Sequence, residues 1–235
     1  MPPRAFRAAL LGLRQAQKPG AGVPAYTRWV NRRLARYAAA AAYALGWTPN
    51  AVTVVSAAFS GAALLLLIVV PTTPMLGLAI ASLLAIGYLL DSADGQVARL
   101  SKSGSPAGEW LDHVVDAVRT PAIHLAVLVG LWRTGGSPPW LLMLTLAYCL
   151  VTVGQFLSQI LAEQLRRSAP ASDSGRGVMQ SIVLIPTDTG TLCWMFLLWG
   201  FPPMFAVVYA VMFTLNLVHT VVSMRRRYRS LVARA

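Results

Sequence analysis

Six apolar segments, at 51–70, 75–97, 112–132, 140–162, 179–199 and 204–224, leave this chain very few ways to fold. A helix needs about 20 apolar residues to cross the hydrocarbon of a bilayer. Within that layer every backbone N–H and C=O must find a partner inside the protein, so single runs of this length become helices. Charged residues make up 12% of the chain, against about a quarter in ordinary soluble domains. The expected fold class is therefore all-α: a polytopic membrane protein with six transmembrane helices. Pro71, Pro74, Pro138, Pro139, Pro202 and Pro203 stand at the segment ends, where they suit short turns.

The distribution of Lys and Arg gives an orientation. With six spans both termini share one side, and the segments on that side hold 18 basic residues, while the other side holds only Arg133. Such an excess marks the cytoplasmic face. The net charge of +12 is thus directed at an anionic membrane surface, and no nucleic-acid partner is expected. Eighteen Arg against two Lys, with abundant Ala, point to a GC-rich bacterial genome and a plasma-membrane location.

Residues 1–25 read as a basic, partly disordered N-terminus whose apolar patch at 8–13 is too short for a secretory signal. Residues 26–46 read as an amphipathic interfacial helix. Arg28, Arg32 and Arg36 recur at i, i+4 and i+8 toward lipid phosphates, and Val30, Leu34, Tyr37 and Ala41 mark another face. Residues 47–224 form the six-helix domain and 225–235 a basic cytoplasmic tail. Cys149 and Cys193 lie in apolar runs and read as packing residues.

Acidic residues carry the functional information. Five of the eight fall between Asp91 and Asp116, and carboxylates at membrane depth persist where they face a cavity, a cation or a metal. Asp91 and Asp94 share one face of their helix, as do Asp112 and Asp116. The two helices are joined by a short loop, so all four carboxylates converge on one pocket. Arg99 and Arg119 neutralise at most two of them. Hard divalent cations such as Mg²⁺ suit such oxygen clusters and complete their shells with substrate phosphates. Gly95, Ala98 and Gly108 remove side chains beside the acids and permit close approach of a ligand or a second backbone.

Together Asp91, Asp94, Gly95, Ala98, Arg99, Gly108, Asp112 and Asp116 spell D-x-x-D-G-x-x-A-R, eight residues, then G-x-x-x-D-x-x-x-D. This resembles the signature of the CDP-alcohol phosphotransferase (CDP-alcohol phosphatidyltransferase) family, and Thr48-Pro49-Asn50-Ala51-Val52-Thr53 looks like a T-P-N-x-x-T stretch seen in several members. The resemblance implies six spans, two divalent ions (Mg²⁺ or Mn²⁺), a homodimer and a place in phospholipid biosynthesis. It implies that Asp91, Asp94, Asp112 and Asp116 contact metal and that Asp116 is the general base. Asp91, Gly95, Ala98, Arg99 and Gly108 would receive the cytidine donor. The implied reaction moves a substituted phosphate, with CDP-diacylglycerol the leading donor, to a hydroxyl of a polyol, polyol phosphate or lipid and releases CMP.

His113 is a second candidate base, since Gly108-Glu109-Trp110-Leu111-Asp112-His113 resembles the G-E-x-x-D-H stretch of the choline and ethanolamine phosphotransferase branch. In that branch a soluble CDP-alcohol donates to a lipid hydroxyl. Acceptor contacts are expected among Glu109, Arg119, Arg166, Arg167 and Asp188. Glu109 also suits the N-terminus of the third span, where negative charge is favoured, and Arg166 and Arg167 also suit positive-inside anchoring. Gln155, Ser158 and Gln159 form a polar stripe on the fourth span, Asn216 and His219 share a face of the sixth, and Pro186–Gly190 interrupts the fifth. A cation channel or transporter could also use the acidic cluster, yet would not need Gly95, Ala98 and Arg99 at this spacing.

Overall fold

The computed structural model describes residues 5–15, 22–166 and 178–233, and every regular element among them is helical. Among the described residues five helices are long and apolar enough to cross a membrane: α3 (Pro49–Val69), α4 (Pro74–Ser101), α5 (Pro106–Thr134), α6 (Pro139–Arg166) and α9 (Pro202–Val232). They are preceded by α1 (Phe6–Gln15) and by α2 (Arg32–Ala44), which continues from a π-helical stretch at Thr27–Asn31. Leu65, Leu150, Leu161, Val207 and Val218 are all exposed on the outside of the bundle. In water so much apolar surface would drive aggregation, but in a bilayer it faces lipid, and the chain is a multi-pass membrane protein.

Helix starts follow from the sequence. Thr48, Thr73 and Ser105 each stand immediately before a proline. Their hydroxyls accept from Ala51 N at 3.2 Å, Leu76 N at 3.1 Å and Gly108 N at 3.1 Å. A hydroxyl N-cap followed by proline at the first helical position satisfies one orphan N–H and removes another. α4 ends at Ser101, its C-cap Lys102 turns the chain at a φ of 51°, and three residues on Ser105 caps α5, which begins at Pro106. The third span therefore starts at Pro106 rather than near residue 112, which puts all the acids of the 91–116 stretch inside helices.

α3 presses closely on α4. Ser56 Oγ donates to Gly87 O at 2.8 Å, and a Cβ on Gly87 would stand 2.5 Å from Ser60 Oγ. Only glycine fits there. The main core joins Leu67, Ile80, Leu84, Val127, Trp199 and Phe205. A second cluster, Ala9, Leu13, Ala35, Ala39, Ala93 and Val97, seats α1 and α2 on the acid-bearing end of α4. Here the alanine run supplies a flat face, while Val30, Leu34 and Tyr37 remain exposed as an interfacial helix requires.

The fifth apolar segment does not form one continuous helix over 179–199. It breaks into α7 (Val178–Val183), a 3₁₀ turn at Ile185–Thr187, α8 (Thr189–Met195) and a second 3₁₀ turn at Phe196–Gly200. Pro186 has no N–H to give, and Asp188 is extended and caps α8 by accepting from Gly190 N at 3.0 Å. Asn216 Nδ2 donates to the freed Pro186 carbonyl at 2.7 Å. Broken backbone at membrane depth is tolerated where protein groups satisfy it or where it lines a cavity, and this segment does both.

Candidate active site

One cavity of about 460 Å³ is enclosed by α4, α5, α6, the broken segment, α9 and the π-helical stretch ahead of α2. Asp91 and Asp94 reach it from the last third of α4, and Asp112 and Asp116 from the first third of α5. Carboxylate oxygens of Asp91, Asp112 and Asp116 all lie within 4.8 Å of one another. Their side chains grade from 37% exposed at Asp112, through 26% at Asp116, to 13% at Asp91, so the cluster opens at the Asp112 side.

Three carboxylates this close repel each other unless cations intervene. Arg119 supplies one positive charge. Its Nη2 contacts Asp116 Oδ1 and lies 3.0 Å from Asp91 Oδ1, and its Nη1 reaches Ser56 Oγ at 3.4 Å. The Asp91 contact is an ion pair without hydrogen-bond alignment, and that buried oxygen has no donor directed at it. Oxygen donors only, mutually within 4.8 Å, with one buried lone-pair site unmet, are the chemistry a hard divalent cation needs. Asp91, Asp112 and Asp116 therefore fit a metal.

Asp94 lies one turn further along α4 and is buried. Instead of joining the three-oxygen cluster it accepts from Thr53 Oγ1 at 2.6 Å. The T-P-N-x-x-T stretch thereby gains a physical reading. Thr48 and Pro49 start α3, and Thr53, one turn inside, orients a carboxylate of the pocket. Asn50 Oδ1 would stand 3.2 Å from a Cβ on Gly108, so Gly108 serves the contact between the starts of α3 and α5. It does not line the cavity, nor does Ala98. Gly95 does, and so does Arg99, whose Nε is buried without a hydrogen-bond partner.

The second candidate base lies elsewhere. His113 does not line the cavity. Its Nε2 is 3.7 Å from Glu109 Oε1 and its Nδ1 3.9 Å from Asp112 Oδ2, which places it with Glu109 on the outer flank of the acidic turn. Asp188 does line the cavity, but its oxygens serve the fold: Oδ2 accepts from Thr27 N at 2.8 Å, and Oδ1 from Thr27 Oγ1 at 2.7 Å and from Gly190 N. Arg166 ends α6, and Arg167 lies outside the described residues.

Several lining residues carry no sequence signal. Thr27 Oγ1 lies 2.6 Å from the Tyr88 hydroxyl, and Asn31 Nδ2 donates to Ser92 Oγ at 2.6 Å. Gly190 packs against the Tyr26 ring with no room for a Cβ, and Tyr26 Oη accepts from Trp194 Nε1 at 2.9 Å. Burial raises the Tyr26 pKa, which keeps that hydroxyl protonated. Arg28 donates to Ser181 Oγ at 3.0 Å, and Arg32 lines the cavity with Gln96. Two of the three arginines expected to face lipid phosphates thus turn toward the protein.

Among known families, the model of the CDP-alcohol phosphatidyltransferases matches residues 46–222. No curated protein matches the chain.

Proposed function

Because the chain belongs to the CDP-alcohol phosphatidyltransferase family, whose members transfer a phosphate-bearing group from a CDP-alcohol, we propose that it moves the phosphatidyl group of CDP-diacylglycerol to an acceptor hydroxyl. The observation that carries this reading is the set of carboxylate oxygens of Asp91, Asp112 and Asp116 within 4.8 Å on the wall of a deep cavity. These residues would hold divalent Mg²⁺ or Mn²⁺, with Asp94, oriented by Thr53, beside them. When bound, the metal neutralises charge on the diphosphate and its leaving group.

The chain's own residues do the rest. Asp116 accepts the proton of the acceptor hydroxyl as that oxygen bonds to the phosphorus carrying the diacylglycerol. The bond from this phosphorus to the bridging oxygen breaks, and CMP leaves with that oxygen. Arg119 holds Asp91 and Asp116 in register before substrate enters. Gly95 leaves room for the nucleotide, Arg99 offers its guanidinium to the phosphates, and Ala98 and Gly108 keep the neighbouring helix faces low. The active site opens to the cytoplasm, both termini lie there, and the chain works as a homodimer in a bacterial plasma membrane.

Purified protein given Mg²⁺, CDP-diacylglycerol labelled in the phosphatidyl group and a panel of polyols, polyol phosphates and lipids should release CMP and form a labelled lipid. CMP release from soluble CDP-ethanolamine with diacylglycerol, and none from CDP-diacylglycerol, would shift the reading to the ethanolamine branch. Cation flux without either reaction would make the cluster an ion path.

A further inference from the structure

Two turns of α5 beyond Asp116, the same cavity ends on a fully buried histidine. His124 has 0% exposure. Its Nδ1 is 2.7 Å from the Tyr209 hydroxyl, and its ring stacks on Tyr148 with centroids 4.0 Å apart. Nε2 is buried too and has no hydrogen-bond partner. A polar nitrogen taken from water and left unpaired opposes folding, and here it belongs to a residue that lines the cavity.

The neighbouring groups narrow what can complete it. Asn216 Nδ2 donates to Tyr148 Oη at 2.8 Å and to the carbonyls of Pro186 and Met212 at 2.7 and 2.9 Å. Its hydrogens are spent. Tyr148 Oη accepts from that amide, which leaves the phenol's own hydrogen to give away. The lining cations are elsewhere: Arg32 on α2, Arg99 near the far end of α4, and Arg119 held by Asp91 and Asp116. Among the described residues this end offers hydrogen bonds and aromatic faces without a Lys or Arg, which suits a hydroxyl and not a phosphate.

Length gives the second constraint. Eight helical residues separate Asp116 from His124 by about 12 Å. The attacking oxygen lies about 3 Å from the Asp116 carboxylate that takes its proton, and a distal hydroxyl about 3 Å from His124 Nε2. About 6 Å remain by this arithmetic, enough to separate two hydroxyls of one short polyol.

Resting on the reaction proposed above, we propose that His124 Nε2 and the Tyr148 hydroxyl form a subsite for an uncharged hydroxyl of the acceptor, distal to the one that attacks. The acceptor is then a short polyol gripped at both ends, with His124 as a specificity-determining residue.

The test uses the full chain in mixed micelles with Mg²⁺ and labelled CDP-diacylglycerol. Glycerol and myo-inositol are the polyol probes, and propan-1-ol, which lacks a distal hydroxyl, is the control. Wild type should prefer a polyol over propan-1-ol by about 10-fold or more in kcat/KM, one good hydrogen bond's worth. His124→Phe keeps a ring but not the nitrogen, so it should raise the polyol KM by a similar factor and erase the preference. The donor KM, and kcat at saturating polyol, should stay near wild type. His124→Gln should restore part of the preference, and Tyr148→Phe should weaken it without removing the ring stack. An intact preference in both His124→Phe and Tyr148→Phe overturns the subsite. A rise in donor KM instead overturns it by giving this end to the diacylglycerol. CMP release without any polyol preference in wild type defeats the subsite alone, whereas failure to bind CDP-diacylglycerol or release CMP with every acceptor defeats the reaction itself.

Discussion

The α4–α5 hairpin and the wall facing it, residues 178–200 with the N-terminal helix, meet across one cavity but are held together in opposite ways. The hairpin is local. Its acids sit three or four positions apart on continuous helices, its turn is three residues from cap to cap, and Arg119, from the same hairpin, offsets one of its negative charges. The facing wall is assembled from chain segments 161 residues apart, joined by Thr27 and Asp188. Its helix is broken, and its polar groups are consumed in closing the break. In the proposed reaction the hairpin carries the chemistry, and the facing wall carries shape. Substitutions in the first should remove turnover and leave the fold; substitutions in the second should loosen the fold and reduce turnover only in proportion.

The sharpest contrast comes from Asp91→Asn and Asp112→Asn. Each removes a carboxylate from the three-oxygen cluster, and metal-borne charge stabilisation is commonly worth several kcal/mol, so CMP release should fall by about 10³-fold or more. Helical content and thermal midpoint in detergent should stay near wild type. Near-normal turnover in either variant would take that residue out of the metal set. Asp116→Asn should follow at about 10²–10⁴-fold, the contribution of a positioned base, while still binding the cytidine donor with Mg²⁺.

On the facing wall, Asp188→Asn replaces an acceptor-only carboxylate that takes three hydrogen bonds, two of them from Thr27. A loss of about 1–3 kcal/mol of stability is expected, read as a lower thermal midpoint, with activity reduced by no more than about the 10-fold that a 1.4 kcal/mol share of that loss would cause. Gly190→Ala should give the same phenotype for a steric reason, because the Tyr26 ring occupies the space of the new methyl. If either variant kept its thermal midpoint but lost turnover as completely as Asp91→Asn, the division of labour between the two walls would be wrong.

The same contrast explains how far the sequence could be read. The convergence of Asp91, Asp112 and Asp116 follows from spacing along single helices, and spacing is what a sequence displays, whereas hydropathy alone misses the polar first turns of α5 from Pro106. The interruption at Pro186–Gly190 is visible as well, because proline removes a donor wherever it stands. That the break would close on Thr27 is not visible, since nothing in the residues around 27 announces a partner so far along the chain. The inward turn of Arg28 and Arg32 is hidden for a related reason: Arg28 meets Ser181, 153 residues along the chain, and Arg32 meets a cavity that distant segments complete. His124, Tyr148 and Tyr209 look like ordinary span residues until three helices bring them together.

Thr53 tests the seam where the hairpin meets α3. Thr53→Val keeps the side-chain shape but removes the hydroxyl that donates to Asp94 at 2.6 Å. One hydrogen bond to a charged group contributes about 1.5–3 kcal/mol, part of which reaches the metal site through Asp94. CMP release at low Mg²⁺ should fall about 10-fold, the equivalent of roughly 1.4 kcal/mol, and should recover as Mg²⁺ is raised. A loss that Mg²⁺ does not reverse would mean that Asp94 acts on the nucleotide and not on the metal.

The smallest effect should come from a residue inside the motif itself. His113 follows Asp112 directly, yet one position is about 100° around a helix, and the side chain ends beside Glu109 at 3.7 Å, outside the cavity lining. A general base must come within hydrogen-bond reach of the proton it removes, directly or through one water. Asp116 stands on the cavity wall, where the proposed reaction places the acceptor; His113 does not. His113→Ala should therefore change CMP release by less than about 3-fold, well short of the loss a missing base brings, and the pH profile of kcat/KM should keep its wild-type shape. A large loss in His113→Ala accompanied by a displaced acidic limb would reverse the assignment, making the histidine the base and leaving Asp116 as a metal ligand whose replacement is rescued by Mg²⁺. Full activity in both His113→Ala and Asp116→Asn would remove both, and the proton would then pass to an oxygen of the substrate's own phosphate.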